Sequence, residues 1–535
     1  MPKLTILDGA RTIGGSKIHL QTKDAGILLD FGMNYKRWGK YYEEFLKPRY
    51  ARGINDLLVL GLLPPLKGVY RDDVFPGDFN KDSILNIELP VDAVFLTHAH
   101  KDHCQHIGFL REDIPIYCSP LTAMIMKAMQ DTSRSRLFEE MVYVTKKKYY
   151  EEGGMLDDRI LVTGREKEES KKIGKRCFVF DEITPAMKTF WRYSPYGKNT
   201  LFEMPPLSTA GDVINSIKFR YFPVDHSIPG ATAFALLTDS GWIVYTGDLR
   251  LHGKKGCMTK KFIEKASSLQ PLALIIEGTH LGENVPKRTS EEEVYSKCLE
   301  VVKDAKGKLV VADFAPRDIE RLLSFLDIAK ETNRKLCVLT NDIYLLEVFD
   351  SVEGTNYLQE KNLAIFEKLK DRRDNWEKKL KERHAEKFVK QSEIRENPGD
   401  YILCLSFFDI IHMTDIVCED GGIYIYSSSE AYNEEQEIDF VRLKNWLEFL
   451  NLQPKGFTVD ESSGKPTFPE GYHSSGHATK DDLFEIVDKM RPRYLIPVHT
   501  ELKNAFEELK DLVKHIIWDD VKFSDLEVRF YEKNY

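Results

Sequence analysis

The segment VDAVFLTHAHKDHCQH, from Val91 to His106, is the most informative part of this 535-residue chain. It opens with a short, apolar and β-branched run from Val91 to Thr97, which is the pattern of a buried strand. Residues with metal-binding side chains follow directly: His98, His100, Asp102 and His103. Because side chains two positions apart in extended backbone share one face, His98 and His100 are expected to bind the same metal ion.

The kind of metal follows from the donor types in this segment. Imidazole and carboxylate ligands suit zinc and leave room for a metal-bound water. Asp102 and His103 lie on the turn after the strand and are expected to reach a second metal ion. The alternative is a polar loop that happens to be rich in histidine. The spacing H-x-H-x-D-H, immediately after an apolar strand, favours the metal site.

Two later segments supply the ligands that the first one lacks. His226 lies in a turn within FPVDHSIPGATAF, and Asp248 follows the strand-like run Trp242–Tyr245. A dinuclear site needs about three protein ligands per metal and often a bridging carboxylate, so Asp248 is the predicted bridge. Asp30, at the end of a strand in ILLDFG, is expected to orient a ligand histidine.

Composition limits the class of protein. A chain of 535 residues is too long for one core and predicts two domains. The net charge of -9 argues against a globally basic nucleic-acid coat, although a local basic groove is compatible with it. The eight cysteines are scattered without a C-x-x-C pair, which disfavours thiolate metal sites. The start MPKLTILDGA shows no secretory pattern, and the apolar run Leu57–Leu66 is too short to span a membrane. We therefore expect a cytoplasmic protein without a membrane association.

Strands and helices are predicted along most of the chain. Early strands are expected at Leu4–Leu7, Lys17–Gln21 and Gly26–Leu29. Alternating helices and strands from Glu291 to Leu339 predict a parallel α/β layer. Long helices are expected at Glu360–Glu396 and Glu501–His515. Two insertions are predicted, a helical one at 34–84 and a charged one at 145–207.

The motif H-x-H-x-D-H, followed by a distant histidine and by TGD, resembles the metallo-β-lactamase superfamily. That resemblance implies an αβ/βα sandwich with two zinc ions between its sheets; manganese is the alternative metal. Three further motifs resemble those of the β-CASP nucleases: LIIEGTHLG with Glu277, GYHSSGHATKDDL with His477, and LIPVHTE with His499. The resemblance implies that His499 completes the second zinc site, and that His477, assisted by Glu277, faces the scissile phosphate.

Simpler explanations exist for these last motifs. Thr479 and Asp482 can form a capping box, which would make the preceding turn only a helix entry. Glu277 can be a solvent-exposed acid at a strand end. Three residues are weaker candidates for binding substrate phosphate: Ser475, His473 and Ser428. Serine-rich turns usually only end strands, and His473 has a structural role as its alternative.

The resemblance also implies a domain arrangement and an activity. The predicted division is a metallo-β-lactamase domain at 1–282, a β-CASP α/β domain at 283–458 and a return to the first domain at 459–535. The expected activity is hydrolysis of RNA by a metal-activated water, in endo or 5′-exo mode, with single-stranded DNA as a second substrate. The candidate catalytic residues are Asp102, Glu277 and His477. A homodimer is an open alternative to a monomer.

Two other functions compete with this one. A small-molecule hydrolase, of the lactonase or thioesterase type, would have a closed pocket and no groove for a polymer. A non-catalytic RNA-binding scaffold would be expected to have lost metal ligands, whereas this ligand set is intact.

Overall fold

The structure of the protein is a computed structural model. The structure describes the chain except for residues 77–79, 134–136, 146, 153–154, 164–171, 174–177, 181, 194–201, 204–206, 210, 212, 282–288, 316, 417–419, 429–433 and 532–535. Part of the predicted insertion at 145–207 therefore lies outside the described residues. Within them, no helix is long and apolar enough to cross a bilayer.

Two mixed sheets form the larger part of the described fold. The first sheet has the strand order Leu207–Thr209, Phe178–Phe180, Ile116–Tyr117, Ala93–Phe95, Gly26–Leu29, Lys17–Gln21, Lys3–Asp8, Glu527–Phe530 and Val521–Lys522. The second sheet has the order Val213–Ile214, Ile217–Pro223, Thr232–Thr238, Gly241–Tyr245, Ala273–Glu277, Tyr494–Val498 and His515–Ile516. The early strands predicted at Leu4–Leu7, Lys17–Gln21 and Gly26–Leu29 are confirmed.

The two sheets pack face to face around one apolar core. The ring of Phe95 lies 5.0 Å from that of Phe219 and 5.1 Å from that of Phe234, centroid to centroid. Helix Pro120–Thr132 packs its buried face on the outer side of the first sheet. Helices Gly256–Ser267 and Lys480–Met490 cover the outer side of the second. This sandwich confirms the predicted αβ/βα architecture.

A third sheet belongs to a separate layer, here called the third-sheet lobe, residues 289–455. Its order is Phe388–Val389, Leu363–Phe366, Lys335–Val338, Tyr401–Cys404, Leu309–Asp313, Gly422–Tyr426 and Leu452–Lys455, and all neighbours are parallel. Helices flank it at Glu291–Asp304, Ile319–Glu331, Thr340–Glu353 and Glu434–Phe449. The predicted parallel α/β layer is confirmed.

The end of the chain returns to the sandwich. Strand Tyr494–Val498 pairs in parallel with Ala273–Glu277, and Glu527–Phe530 pairs in parallel with Lys3–Asp8. The last segments therefore complete both sheets that the first part of the chain begins. Because Ala273–Glu277 and Tyr494–Val498 run side by side, their carboxyl ends meet at one edge of the second sheet.

Two predicted helices are wrong. The segment Glu360–Glu396 is not one helix, because its apolar run Leu363–Phe366 is a buried strand, and the helices Asn375–Arg383 and Gln391–Glu396 follow separately. Because most residues around this short apolar run are charged, the segment was predicted as one exposed helix. Glu501–His515 forms a 3-10 turn at Lys503–Leu509 and then a strand at His515–Ile516.

The predicted helical insertion at 34–84 contains only short helical segments. These are Tyr35–Trp38, Tyr50–Arg52, Asn55–Val59, Asp72–Val74 and Lys81–Ile84. Prolines at positions 48, 64, 65 and 76 interrupt longer helices, since proline cannot donate a main-chain hydrogen bond. Leu57 and Leu63 instead pack against the outer side of the first sheet.

Main-chain hydrogen bonds fix the short helix Lys101–Cys104. Phe31 N–H donates to the carbonyl of His103 at 2.8 Å, and Met33 N–H donates to that of Lys101 at 3.0 Å. Ser16 N–H donates to the carbonyl of Asp102 at 3.1 Å. The backbone at Gly32 passes so close to this helix that any side chain would collide with it.

A buried ion network joins the third-sheet lobe to the sandwich. Glu291 Oε1 accepts from Arg250 at 2.9 Å, and Glu291 Oε2 lies 3.0 Å from Arg321. All three side chains are almost completely buried. Removing one partner of such a pair leaves an uncompensated buried charge, which typically costs about 3–5 kcal/mol. The start of helix Ile319–Glu331 is thereby held against the loop that carries Arg250.

We predict that Gly32→Ala destabilises the protein. The added Cβ would lie 1.7 Å from the carbonyl oxygen of Asp102, so the backbone must shift. Overpacking of this kind costs about 1–3 kcal/mol, or more where backbone is displaced. Thermal unfolding should show a lower Tm for the variant. In Gly39→Ala, the matched control, the nearest atom is 3.5 Å away and the Tm should be unchanged. Equal melting of both variants would contradict this account.

Candidate metal centre

The candidate ligands lie where strands of both sheets end. His98 and His100 follow the strand Ala93–Phe95 of the first sheet. Asp102 and His103 lie just after them on the short helix Lys101–Cys104. The remaining three ligands come from the second sheet: His226 follows Ile217–Pro223, Asp248 follows Gly241–Tyr245, and His499 follows Tyr494–Val498. The structure thus brings together all seven residues that the sequence proposed as metal ligands, in two groups with donor atoms close to one another.

The first group consists of three histidines. His100 Nδ1 lies 3.1 Å from His98 Nε2 and 3.1 Å from His226 Nε2. Asp248 Oδ2 lies 3.8 Å from His98 Nε2. Two nitrogen ligands of a tetrahedral zinc ion, each about 2.05 Å from the metal, are themselves roughly 3.3 Å apart. The three imidazoles are therefore spaced for one metal ion.

The second group combines two carboxylates and two histidines. Asp248 Oδ2 lies 3.1 Å from His103 Nε2 and 3.7 Å from His499 Nε2. Asp102 Oδ2 lies 3.3 Å from His499 Nε2 and 3.8 Å from His103 Nε2. Since Asp248 also borders the first group, its carboxylate has the position expected of a bridge.

One buried atom tests whether this group suits a metal. His103 Nε2 is buried and has no hydrogen-bond partner among the described residues, although Asp248 Oδ2 is 3.1 Å away. Buried polar nitrogen atoms are almost always satisfied. A metal ion between His103 and the two carboxylates would satisfy this nitrogen, so the residues fit a metal.

The electrostatics of the first group also favour metal binding. Burial lowers the pKa of His98 and His100 well below the usual range, and the charges of neighbouring histidines lower both further. The pKa of His226 is lowered to about 3, first by burial and then by the charge of His477. Neutral imidazole is the form that binds metal ions. These three histidines are therefore ready to bind without losing a proton.

Asp30 orients His103, as its place at a strand end predicted. Its Oδ2 lies 2.7 Å from His103 Nδ1 and accepts hydrogen bonds from Thr97 Oγ1 at 2.8 Å and from the Tyr245 hydroxyl at 2.7 Å. Asp30 has a φ of 56° and His499 a φ of 53°. Left-handed backbone is uncommon outside glycine and often occurs at functional sites.

Beside the metal ligands, buried Glu277 and partly exposed His477 form a pair. Glu277 Oε2 lies 2.7 Å from His477 Nδ1, and Oε1 accepts from the main-chain N–H of Leu249 at 2.8 Å. Glu277 is 1% exposed, so it is not the solvent-exposed acid of the simpler alternative. Burial opposes protonation of His477, but the charges of Glu277 and Asp248 raise its pKa to about 9.

The geometry also allows His477 to be a metal ligand instead of a catalytic residue. Its nitrogen and donor atoms of Glu277, Asp248 and His499 all lie within 4.8 Å of one another. The capping box predicted from Thr479 and Asp482 exists as well, and it begins helix Lys480–Met490 two residues after His477. The turn therefore caps a helix and places His477 next to the metal ligands.

Two of the three weaker phosphate candidates, His473 and Ser475, make side-chain contacts within the protein. His473 Nδ1 lies 2.7 Å from the carbonyl oxygen of Ser428, and its Nε2 lies 2.6 Å from that of Gly456. The hydroxyl of Ser475 lies 2.6 Å from His280 Nε2 and accepts from the main-chain N–H of His477. These contacts favour the structural alternative for His473.

Thr279 is a further residue of the site that was not predicted from the sequence. Its hydroxyl donates to Glu277 Oε2 at 2.7 Å and lies 2.9 Å from His499 Nδ1. It thereby joins the Glu277–His477 pair to the second group of ligands. The only signal for Thr279 in the sequence was its position two residues after Glu277. That position does not show that His499, which lies 220 residues later in the chain, packs beside Thr279.

Fold and centre together define the metallo-β-lactamase sandwich with an additional α/β lobe and two clusters of metal-binding donors between its strand ends. Residues 470–519, which contain His477 and His499, match the family described as "Zn-dependent metallo-hydrolase RNA specificity domain". This match and the curated relatives below confirm the resemblance to the β-CASP nuclease group. Use of a metal is supported by the same family and by the clustered donors.

The chain is similar to proteins named ribonuclease J. It is 24% identical to that of Mycoplasma genitalium over 94% of this chain and 68% of the relative. It is 26% identical to that of Thermus thermophilus over 53% of this chain and 46% of the relative. The ribonuclease J of Mycoplasma pneumoniae is 21% identical, over 78% of this chain and 59% of the relative. The chain thus spans between about half and two thirds of the length of these relatives.

A solved structure has the same fold. It is a protein of unknown function from Enterococcus faecalis V583, with a TM-score of 0.60 and 22% sequence identity. The similarity covers 97% of both chains, so the third-sheet lobe and the sandwich occur together in that protein.

We predict that His98→Ala lowers the metal content of the purified protein. His98 is fully buried, and its imidazole is one of three nitrogen ligands in the first group. Elemental analysis by mass spectrometry, on protein prepared without chelator, is the measurement. His412→Ala, which removes a histidine of the third-sheet lobe, should keep the wild-type content. Wild-type protein without bound metal would refute the assignment of the centre.

Proposed function

We propose that this protein is a zinc-dependent phosphodiesterase that hydrolyses RNA. The observation that carries the proposal is the position of the His477–Glu277 pair directly beside two clusters of metal-binding donors. The family matched by residues 470–519 and the named activity of the ribonuclease J relatives support RNA as the substrate. No comparison favours a lactonase or thioesterase.

The proposed centre holds two zinc ions. His98, His100 and His226 would bind the first, Asp102, His103 and His499 the second, and Asp248 would bind both. When bound, such ions lower the pKa of water and neutralise charge that builds up on phosphate oxygens during the reaction. The protein's own side chains would position the substrate and transfer the proton in the proposed reaction.

His477 is proposed to act on the leaving group. The charge of Glu277 favours the protonated imidazole, which can donate a proton to the departing 3′-oxygen. Glu277 holds Nδ1 of the ring, and Leu249 and Thr279 hold Glu277 in turn. Cleavage would leave a 5′-phosphate on the product. Single-stranded DNA is proposed as a second substrate.

We predict that His477→Ala keeps about two zinc ions per chain but loses most RNA cleavage. General acid–base groups contribute roughly 10²–10⁴-fold to a rate, so single-turnover cleavage of end-labelled RNA should fall by that factor. Loss of one metal equivalent would instead make His477 a ligand. A rate reduced less than about tenfold would remove it from the mechanism.

His280→Ala is the matched control for this experiment. His280 is buried beside His477, with ring centroids 5.7 Å apart, but its Nε2 contacts Ser475 Oγ at 2.6 Å rather than a metal ligand. We expect a much smaller loss of cleavage than for His477→Ala. A loss of equal size would show that any disturbance of this turn abolishes activity.

We also predict that RNA binding weakens steeply with salt. Each neutralised phosphate releases counterions, so for single strands the logarithm of the association constant falls with the logarithm of the salt concentration, with a slope of about −0.7 per contact. Because the net charge is -9, the responsible lysines and arginines must be concentrated locally. Fluorescence anisotropy of a labelled RNA between roughly 50 and 200 mM salt measures this slope. A flat dependence would contradict binding along a backbone-tracking groove.

A further inference from the structure

The hydroxyl of Thr279 lies between a buried carboxylate and a candidate zinc ligand. It donates to Glu277 Oε2 at 2.7 Å, and it lies 2.9 Å from His499 Nδ1. A hydroxyl carries one proton and can accept further hydrogen bonds through its oxygen. Since that proton is directed at Glu277, the bond between Thr279 and His499 requires a proton on Nδ1 of the imidazole. His499 is therefore held as the tautomer whose Nε2 is free to bind a metal ion.

The other partners of Glu277 support this direction of the hydrogen bonds. Its Oε1 accepts from the main-chain N–H of Leu249 at 2.8 Å, and its Oε2 also lies 2.7 Å from His477 Nδ1. Three donors thus surround a side chain that is 1% exposed, which is the environment of an ionised carboxylate. An ionised carboxylate only accepts hydrogen bonds, so Thr279 must be the donor in its bond with Glu277.

The first sheet repeats this arrangement at another candidate ligand. Thr97 Oγ1 donates to Asp30 Oδ2 at 2.8 Å and lies 3.0 Å from His98 Nδ1. The main-chain N–H of Thr97 donates to Asp30 Oδ1 at 2.8 Å, as that of Leu249 does to Glu277. Each carboxylate therefore accepts a main-chain N–H on one oxygen and a threonine hydroxyl on the other. Because the two sets of hydrogen bonds come from different sheets, their common feature is the histidine ligand and not one local turn.

The nitrogen that each threonine leaves unprotonated faces other candidate ligands. His499 Nε2 lies 3.3 Å from Asp102 Oδ2 and 3.7 Å from Asp248 Oδ2. His98 Nε2 lies 3.8 Å from Asp248 Oδ2. The lone pair of an unprotonated nitrogen and the charge of a carboxylate repel each other unless a cation lies between them. The threonine hydroxyls therefore prepare both histidines to bind a metal ion and prevent them from donating to the carboxylates instead.

We propose that Thr97 and Thr279 are positioning residues, each of which fixes one histidine as the tautomer that binds zinc. Thr97 acts on His98, in the first group of donors. Thr279 acts on His499, in the second group. The inference rests on the proposed function, whose zinc centre it extends. It adds that Glu277 supports the second zinc ion through Thr279, besides its contact with the proton donor.

Thr279→Val tests the role at the second site, because it removes the hydroxyl and keeps the shape of the side chain. We expect one zinc equivalent to bind about 10–100-fold more weakly, the usual effect of losing a group that orients a metal ligand. The other equivalent should bind as in the wild type. Thr279→Ser keeps the hydroxyl and should restore the affinity. Competition for zinc between the zinc-loaded protein and a chromophoric chelator measures both affinities.

Thr500→Val is the matched control. Thr500 is buried and directly follows His499, and its hydroxyl accepts from the main-chain N–H of Leu502 at 3.2 Å. We expect this variant to bind both zinc equivalents as tightly as the wild type. Equal weakening in Thr500→Val and Thr279→Val would overturn the proposal, because any change of packing beside His499 would then loosen the site.

Thr97→Val tests the same role in the first group of donors. One zinc equivalent should again bind about 10–100-fold more weakly, and Thr97→Ser should restore it. In the double variant with Thr279→Val, both equivalents should be weakened, since the two threonines act on different sites. A double variant in which only one equivalent is weakened would contradict the assignment of one threonine to each zinc ion.

RNA cleavage separates this role from that of the proton donor. Thr279→Val should recover its activity when the zinc concentration is raised, because only the affinity for zinc is impaired and Glu277 still contacts His477 directly. His477→Ala should stay inactive under the same conditions, because its zinc sites are already filled. Activity of Thr279→Val that does not respond to zinc would contradict a role through the metal ligand.

The outcomes separate the two proposals. Wild-type protein that binds no zinc would overturn the proposed function and the positioning role with it. A wild type that binds two zinc ions and cleaves RNA, with Thr97→Val and Thr279→Val binding zinc equally tightly, would overturn the positioning role alone. Zinc binding by Thr279→Ser that is as weak as that by Thr279→Val would also contradict it, since the serine keeps the hydroxyl.

Discussion

The buried carboxylate of Asp248 is surrounded by positive or potentially positive groups. Its Oδ2 lies within 4 Å of a ring nitrogen of five histidines: His98, His103, His226, His477 and His499. A buried carboxylate is strongly unfavourable unless it is paired or binds a metal. The interactions with His103 and His499 hold the pKa of Asp248 well below its usual range, although burial alone would raise it. A carboxylate that stays charged at this position can bind two cations at once.

The fold is arranged to bring these groups to one place. The two sheets contribute ligands from the ends of different strands, and the chain must return near its end to supply His499. Strand Tyr494–Val498 lies beside Ala273–Glu277, so His499 and Glu277 both reach the centre from one sheet edge. Main-chain hydrogen bonds from Phe31 to the carbonyl of His103 and from Met33 to that of Lys101 position the ligands from the first sheet. The backbone at Asp30 and His499 adopts left-handed conformations that the surrounding contacts must stabilise.

Much of the centre could be predicted because its signals are local. His98 and His100 could be predicted to share a metal because residues two apart on a strand share one face. Asp248 could be predicted as the bridge because a dinuclear site often contains a bridging carboxylate and Asp248 directly follows a strand. The contact of Thr279 with His499 could not be predicted, since the two residues are 220 positions apart in the sequence. The long helix expected at Glu360–Glu396 was wrong because charge on the surface masked a four-residue strand, Leu363–Phe366. Predictions from local sequence patterns were correct where the local sequence determines the structure. They failed where packing between distant segments determines it.

The central claim is that Asp248 bridges two metal ions between the sheets. Anomalous diffraction at the zinc absorption edge, from crystals grown with zinc, tests this claim most directly. The account predicts two anomalous peaks about 3.5–4 Å apart, one beside His98, His100 and His226 and the other beside His103 and His499. The Asp248 carboxylate should lie between them. A single peak, or peaks away from Asp248, would contradict the account.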